Sequence, residues 1–238
     1  MAFVYRFICK AIKKIPEDVS QKLKEYKEYD HQQIISAIDL FKPVIIEDKE
    51  YVRGKIYYRG IQSSFDLVEE NGEVKEKEIK VPYVASVIFF LSTNSDAVLF
   101  SGIKEGSSFG HQVISKALFG DSSSVLPIEF NLHKIEQSVA QGEFSNLWAH
   151  AYKRQGNIKS RIEFGENINE DEEFVPSGTV DKSFLGICVT QDFEEMKIKV
   201  FRSGGIMFYK NWDNETHIVD VFNLVKIFLK YSMTQLQL

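Results

Sequence analysis

The chain has 238 residues, enough for one large domain or two small ones with a substantial buried core. Hydrophobic residues make up 44% of it, which excludes an intrinsically disordered chain, and the 5 prolines exclude long proline-rich linkers. The formal net charge of -5 weighs against a protein covered with phosphate-binding cations, although a local basic face can coexist with acidic loops.

The sequence also bears on location. No apolar run is long enough to cross a bilayer, and the first ten residues lack the pattern of a signal peptide. Cys9 and Cys188 lie in apolar, strand-like runs, which is typical of two buried thiols in a reducing compartment, and no pattern supports a disulfide. We therefore expect a cytoplasmic protein that does not bind membranes.

The first fifty residues predict a strand followed by two helices. The strand is Phe3–Ile8, and Pro16 marks the start of a helix whose apolar face is Val19, Leu23 and Tyr26. Asp30 and Gln33 resemble a capping box. They precede a second amphipathic helix, ended by Pro43, with the apolar residues Ile34, Ile35, Ile38 and Phe41.

From Tyr51 onward the period becomes that of strands. The predicted strands are Tyr51–Arg59, Ser64–Val68, Val74–Val81, Tyr83–Leu91 and Ala97–Phe100. Asn71-Gly72 is a hairpin signal because both residues accept a positive φ at low cost. Consecutive strands joined by turns favour an antiparallel sheet over repeated βαβ units.

The second half alternates helices and strands. Helices are predicted after Ser107 or Ser108, after Asn131, and over an apolar stripe from Ile218 to Leu229 that Asn214 or Thr216 could cap. Further strands are Ser160–Phe164, Ser183–Val189, Lys197–Phe201 and Ile206–Tyr209, and the acidic residues Glu166–Glu173 are expected to form a mobile loop.

These elements define the expected architecture. The fold class is α+β, with antiparallel sheet or sheets flanked by about five helices, the N-terminal and C-terminal helices packing on one face. We expect a single chain unit over residues 1–238, in which residues 1–82 and 83–238 could form two lobes.

Two motifs keep an enzyme open as an alternative. Gly106-Ser107-Ser108-Phe109-Gly110 matches G-x-S-x-G, and Asp192 and His217 follow in the order of a serine hydrolase, but a loop and helix cap explain the same residues. Asp66 with Glu78-Ile79-Lys80 resembles the carboxylates and lysine of a metal-dependent nuclease, although a hairpin with paired surface charges also fits. No histidine lies at metal-ligand spacing, and no nucleotide-binding glycine loop is present, so we predict no metal and no cofactor.

Basic residues concentrate in two places in the C-terminal half, and they are the predicted nucleic-acid contacts: Lys153, Arg154, Lys159, Arg161, Lys197, Lys199 and Arg202. Trp148 and Tyr152 lie near the first group and offer rings on which bases can stack. A solvated strand face explains the same pattern, and nearby acidic residues partly neutralise it.

One resemblance adds to the DNA interpretation. Residues 83–91, residues 97–102, a helix and then Val125-Leu126-Pro127-Ile128 resemble the order of elements in the phage-exclusion protein RexA and the recombination-associated protein RdgC. Residues 178–182 followed by 196–201 are similar to an RdgC segment that leads into a lysine-bearing strand. The resemblance implies a dimeric, non-enzymatic DNA-binding protein in phage defence or recombination.

From the sequence we therefore predict a non-enzymatic binding protein that engages DNA or a protein partner in a bacterial or phage setting and could form a homo-oligomer. The metal-dependent nuclease and the serine hydrolase stay open as alternatives.

Overall fold

A computed structural model describes residues 5–12, 15–46, 49–71, 73–92, 97–102, 104–142, 144–153, 160–174, 180–191, 194–209 and 218–233. Within these ranges there are four α-helices: α1 (Val19–Glu25), α2 (Lys104–Phe119), α3 (Leu132–Ala140) and α4 (Ile218–Leu229). The strands are β1 (Tyr5–Ile12), β2 (Lys27–Asp30), β3 (Gln33–Leu40), β4 (Val44–Ile46), β5 (Lys49–Glu70), β6 (Glu73–Ser92), β7 (Ala97–Ser101), β8 (Val125–Pro127), β9 (Asn146–Lys153), β10 (Ser160–Phe164), β11 (Lys182–Gln191), β12 (Glu194–Phe201) and β13 (Gly205–Phe208).

All of these strands belong to one antiparallel sheet. Its order is β10-β9-β11-β12-β13-β1-β7-β6-β5-β3-β2, with β4 paired to β5 and β8 paired to β1. The first strand lies in the middle, where one edge pairs with β7 and the other is shared by β13 and β8. We call the part from β13 to β10 the C-half and the part from β6 to β2 the N-half. Residue 82, where two lobes were expected to meet, lies inside β6.

The helices cover opposite faces of the two halves. α3 and α4 pack on the face we call the front, over a core that includes Phe208 and Ile198 of the C-half. α1 and α2 pack on the back, over a core that includes Ile56 and Phe89 of the N-half. The expectation that the N-terminal and C-terminal helices share one face is wrong, because α1 lies on the back and α4 on the front.

The central strands are buried on both faces because apolar residues occupy consecutive positions. In β7, Leu99 belongs to the front core while Val98 and Phe100 belong to the back core. Successive side chains of a strand point to opposite faces, so such a run can only be satisfied by cover on both sides. We call these central strands, which are buried on both faces, the seam, and they join the two halves.

Strands β5 and β6 form a long two-stranded ribbon, and only its base belongs to the body of the sheet. β3 pairs with β5 as far as Tyr58, and β7 pairs with β6 only from Ile88 onward. Beyond these points β5 and β6 pair with each other alone, from Arg59 opposite Val84 to Glu70 opposite Glu73. We call residues 59–70 and 73–84 the arm.

The α+β description with about five flanking helices is wrong. The molecule is mostly one large antiparallel sheet, with only four α-helices in its described residues. The main error is the helix predicted before Pro43, because Gln33–Leu40 is strand β3. The residues interpreted as a capping box form a tight turn in which His31 has a φ of 53°, and Asp30 pairs directly with Gln33.

Most other elements have the predicted type. The helix expected after Pro16 is α1, Asn131 caps α3 by accepting a hydrogen bond from the backbone N–H of Lys134 at 3.1 Å, and the C-terminal stripe is α4. Asn71 has the positive φ expected of the hairpin turn. The acidic residues 166–173 include a 3-10 turn at Ile168–Glu170, in which Ile168 is buried. The capping residues Asn214 and Thr216 lie outside the described residues.

Both cysteines are free and buried, as expected. Cys9 points to the front core, whereas Cys188 lies opposite Lys197 on the back of the sheet. Burial raises the pKa of the Cys9 thiol, and burial, together with Glu195, raises the pKa of Cys188 to about 12. Neither thiol is therefore a ready nucleophile.

Candidate nucleic-acid interface

The back face of the C-half carries no helix among the described elements. In β12, Ile198 and Val200 point into the front core, so Lys197, Lys199 and Phe201 point to the back. The register extends this row to the neighbouring strands, since Lys199 lies opposite Gly186 of β11 and Met207 of β13. The alternation seen in the sequence therefore places two predicted contacts, Lys197 and Lys199, on one open face.

Lys199 lies among four aromatic rings on this face. Its Nζ is 4.8 Å from the ring centre of Phe184, 4.9 Å from Phe164, 5.3 Å from Trp148 and 5.5 Å from Tyr209. All four distances lie within the range of a cation–π contact. We call these four rings and Lys199 the aromatic cluster. It comes from four strands and the residue after β13.

A bulge in β9 and a glycine in β11 make the cluster possible. Ala149 pairs with Gly186 and Leu147 pairs with Ile187, so Trp148 is the extra residue and turns its ring to the back. A Cβ added to Gly186 would lie 2.8 Å from Trp148 Cε2, which shows that the indole covers the glycine. The indole Nε1 donates a hydrogen bond of 3.1 Å to the carbonyl of Ile187, which fixes the ring.

The cluster continues into a wider surface that is both aromatic and basic. Phe164 is 62% exposed at the edge strand β10, and Ile162 on the same face is 52% exposed. On the other side, Phe201 packs against Phe184 at 5.5 Å, and the guanidinium of Arg6 lies 5.4 Å from the Phe201 ring. Exposed rings can stack on bases while neighbouring cations contact phosphates.

The remaining predicted contacts lie elsewhere. Arg161 points to the front, where its Nε is 2.8 Å from Glu163 and its Nη2 is 3.5 Å from Glu173. Arg202 follows β12 in a turn and is paired with Asp181. Lys153 ends β9, but its side chain is outside the described residues, as are Arg154 and Lys159 entirely. The structure thus groups Lys197 and Lys199 and separates Arg161 from them.

A second group of charged residues is buried on the front of the C-half. Lys182 Nζ is 2.6 Å from Glu136 Oε2 and 4.3 Å from the ring centre of Phe174. His150 contacts Glu163 through Nε2 and stacks on Phe174 at 5.1 Å, while its buried Nδ1 has no hydrogen-bond partner among the described residues. Burial lowers the pKa of both His150 and Lys182, the histidine's against the opposing effect of Glu163.

This front cluster is closed rather than open to a substrate. Lys182 and His150 have no exposed side-chain surface, and Lys182 is neutralised by Glu136. A cavity of about 350 Å³ lies beside it, lined by Arg161, Glu163, Phe174 and residues of the acidic loop. Its chemistry suits holding the loop onto the sheet, because Phe174 and Arg161 connect that loop to β9 and β10.

The two enzyme alternatives receive no support from the positions of their residues. Ser108 lies inside α2, which begins at Lys104, and not on a tight turn between strand and helix, while Asp192 and His217 are outside the described residues. Asp66 lies opposite Lys77 and Glu78 opposite Phe65, so the two carboxylates point to opposite faces of the arm. Among the described residues, no three potential metal ligands come together.

Comparisons with known proteins find no matching family model and no similar curated protein. The resemblance to RexA and RdgC therefore stays a prediction from sequence. In the described residues, no helix combines the length and apolar character needed to span a membrane.

Sequence reasoning missed most of the aromatic cluster. It singled out Trp148 and Lys199 but not Phe164, Phe184, Tyr209 or Arg6. One usable signal was the alternation in residues 197–201, which predicts that a ring, Phe201, shares a face with two lysines. The bulge that turns Trp148 to the back, and the pairing of four strands that brings the rings together, leave no local pattern in the sequence.

Proposed function

We propose that the protein is a non-enzymatic DNA-binding protein that uses the back face of its C-half. The observation that supports this proposal is the aromatic cluster: an uncovered sheet face on which Lys199 is surrounded by four rings and flanked by Lys197 and Arg6. The bacterial or phage setting, in defence or recombination, follows only from the resemblance to RexA and RdgC.

The chemistry of this face suits an unpaired strand. An exposed ring such as Phe164 offers a stacking surface, and stacking needs bases that are not already paired with a second strand. Lys199 places a positive charge within the same aromatic surface, so a phosphate and its neighbouring base can be contacted together. We therefore expect single-stranded DNA to bind more tightly than duplex DNA.

The net charge of -5 is compatible with such a local site. The acidic tip of the arm lies on β5 and β6, in the N-half. Glu195 and Glu166 lie closer to the site, since both add to the effect of burial in raising the pKa of Cys188, which pairs with Lys197. The site is small, so only a few phosphates are contacted. The affinity should fall with salt, but with a shallow slope.

The test is fluorescence anisotropy of labelled single-stranded and double-stranded DNA, at low and near-physiological salt, with and without magnesium. We expect Phe164→Ala to weaken single-strand binding about tenfold, because base–aromatic stacking contributes about 1–3 kcal/mol. Lys199→Met should weaken it and reduce the salt slope. Lys134→Met, on an exposed position of α3 at the front, is the matched control and should change neither.

Three other outcomes of this experiment would contradict the proposal. Cleavage that appears only with magnesium would overturn the non-enzymatic assignment and favour a nuclease. Absence of binding at low salt would overturn the DNA assignment, and a protein partner would then be sought on the same face. Binding that Phe164→Ala and Lys134→Met weaken equally would show that another surface holds the DNA.

A further inference from the structure

The front face of the arm is an exposed apolar stripe. Its large side chains are Ile61, Phe65, Leu67, Val74 and Val84, and each is between 68% and 71% exposed. Opposed residues of an antiparallel pair share a face, and the register places all five on the side that carries Tyr51 in the front core. Tyr57 and Ile88, each 37% exposed, continue the stripe toward the sheet.

The back face of the arm differs from the front face because its ring and its charged side chains have partners within the arm. The Tyr83 ring lies over Gly60, where an added Cβ would come within 2.6 Å of the ring. Its charges pair locally, with Lys75 Nζ 3.5 Å from Glu73 and Lys77 Nζ 3.8 Å from Glu70. The unusual exposure is therefore confined to one face. A two-stranded ribbon is marginal alone and is stabilised when an apolar face is covered.

The charges on the front face are ordered along the arm. Arg59 and Lys80 lie toward the base, whereas Glu78, Glu76 and Glu69 lie toward the tip. In the described part of the chain, none of the five forms an ion pair within the molecule. The face is therefore positive toward the base and negative toward the tip, with apolar side chains interspersed among the charges. When a second copy of this face runs in the opposite direction, its negative end therefore lies opposite the positive end of the first copy.

We propose that the front face of the arm packs against the same face of a second copy of this chain, with the two arms antiparallel. The two-fold axis lies between the two arms, perpendicular to the strands and level with the pair Ser64–Ile79 of each copy. Arg59 then faces Glu69 of the second copy, and Lys80 faces Glu78 of the second copy. The same operation places Ile61 against Leu67 and Val84 against Val74.

Size also matches in this register. Phe65 of each copy faces Ser63 of the other, so the largest ring of the stripe meets the smallest side chain on it. Such a two-fold interface uses one patch twice and closes as a dimer. Sheet faces pack about 10 Å apart with their strands within about 30° of alignment, which two ribbons of this length permit.

A parallel arrangement is disfavoured by the same charges. It would place the two acidic tips side by side and the two positively charged ends side by side, and opposed like charges at an interface weaken binding. The acidic tip also disfavours a polyanion as the occupant of this face. The dimer is independent of the DNA site, which lies on the other half of the sheet and on its back face.

The test is sedimentation velocity of the full chain over a wide range of concentration. The natural protein should dimerise, and Arg59→Glu or Glu69→Arg alone should raise the dimer dissociation constant at least about tenfold, because each change creates two like-charge contacts by symmetry. Mixing the two single variants should restore dimers, since each copy then faces its opposite charge. Restoration by mixing cannot arise from contacts within one chain.

Two controls make the result decisive. Lys75→Glu, on the back face of the arm, should leave the dimer unchanged. Circular dichroism should show the same fold for every variant, because all the substituted side chains are exposed. A chain that stays monomeric at every concentration, or a dimer that neither single variant weakens, would overturn the proposal.

Discussion

Among the described elements, the helices cover opposite faces of the two halves of the sheet. The C-half is closed at the front by α3 and α4 and open at the back, whereas the N-half is closed at the back by α1 and α2. Its arm is open at the front. One continuous sheet thus presents two uncovered surfaces on opposite sides of the molecule.

The chemistry of these surfaces differs as much as their position. The open face of the C-half holds rings around Lys199, which forms no ion pair with any of the described residues, and this suits a negatively charged partner. The open face of the arm is apolar with ordered charges of both signs, which suits a copy of itself. The two surfaces are alike in being exposed, and the arrangement of their charges distinguishes them.

The largest expected effect contrasts the seam with the arm. Phe100 is 1% exposed and Phe65 is 69% exposed. Phe100→Ala should lower the free energy of unfolding by about 3–5 kcal/mol, because it removes a buried ring from between β7 and α2. Phe65→Ala should change it by no more than about 0.5 kcal/mol at dilute concentration. Urea unfolding measures both, and a large loss at Phe65 would mean that the arm is covered within the monomer.

The next effect contrasts a buried and an exposed ion pair. Lys182→Met should cost about 3 kcal/mol, because the buried carboxylate of Glu136 then loses the ammonium that neutralises it, and adding Glu136→Leu should recover most of the loss. Lys77→Met removes a pair exposed by more than half on both sides, so it should cost less than about 0.5 kcal/mol. Urea midpoints would test this, and a double variant no better than the single one would contradict it.

Two glycines lie beneath rings, one in each half. Gly186→Ala should cost about 1–3 kcal/mol, since the new methyl meets the Ala149 Cβ at 2.8 Å and the indole of Trp148 at 2.8 Å. At Gly60→Ala the nearest atoms to the new methyl belong to the ring of Tyr83, which can turn into solvent, so the cost should be below about 1 kcal/mol. Thermal unfolding measures both, and Gly186→Ala should also weaken DNA binding. Equal costs would show that Tyr83 is as firmly held as Trp148.

The smallest effect is a pH dependence that begins below pH 6.5 and arises from one histidine of the C-half. Burial lowers the pKa of His150 from 6.5, aided by Lys182 and opposed by Glu163 and Glu136. The unfolded chain therefore binds a proton before the folded chain does, so stability should fall as the pH drops below 6.5, by at most about 1.4 kcal/mol per pH unit. His150→Gln should flatten this slope. His31→Asn, at the exposed turn of the N-half, should leave it unchanged.

The sequence predicts elements better where local chemistry decides them. Asn131 and Asn71 were correctly placed at a helix cap and a hairpin turn, because their side-chain oxygen and tolerance of positive φ act within a few residues. Ile34, Ile35, Ile38 and Phe41 fit a helical stripe, but pairing of β3 with a distant partner, β5, overrides that spacing. Periodicity is a weak guide for short apolar runs.

The arm was divided in prediction for a similar reason. Gly60 and Pro82 interrupt their strands in sequence, yet Gly60 lies beneath Tyr83 and Pro82 lies opposite Ile61. Proline is tolerated there because the outer edge of β6 has no strand beside it before Ile88. The candidate site shows the same limit: the spacing of Lys197 and Lys199 is a local pattern that puts both on one face of β12, while the rings around Lys199 come from strands far apart in sequence.

The central position of β1 has a consequence for how the protein is made. Residues 97–101 of β7 can close one edge of β1 early, and β8 covers Lys10–Ile12 soon after, but Tyr5–Ile8 must wait for β13. At a synthesis rate of about 5–20 residues per second, the ribosome needs roughly 5–20 seconds to extend the chain from β7 to β13. During that interval the nascent chain carries an open, apolar strand edge, so its burden on chaperones should be greatest before the last strand emerges.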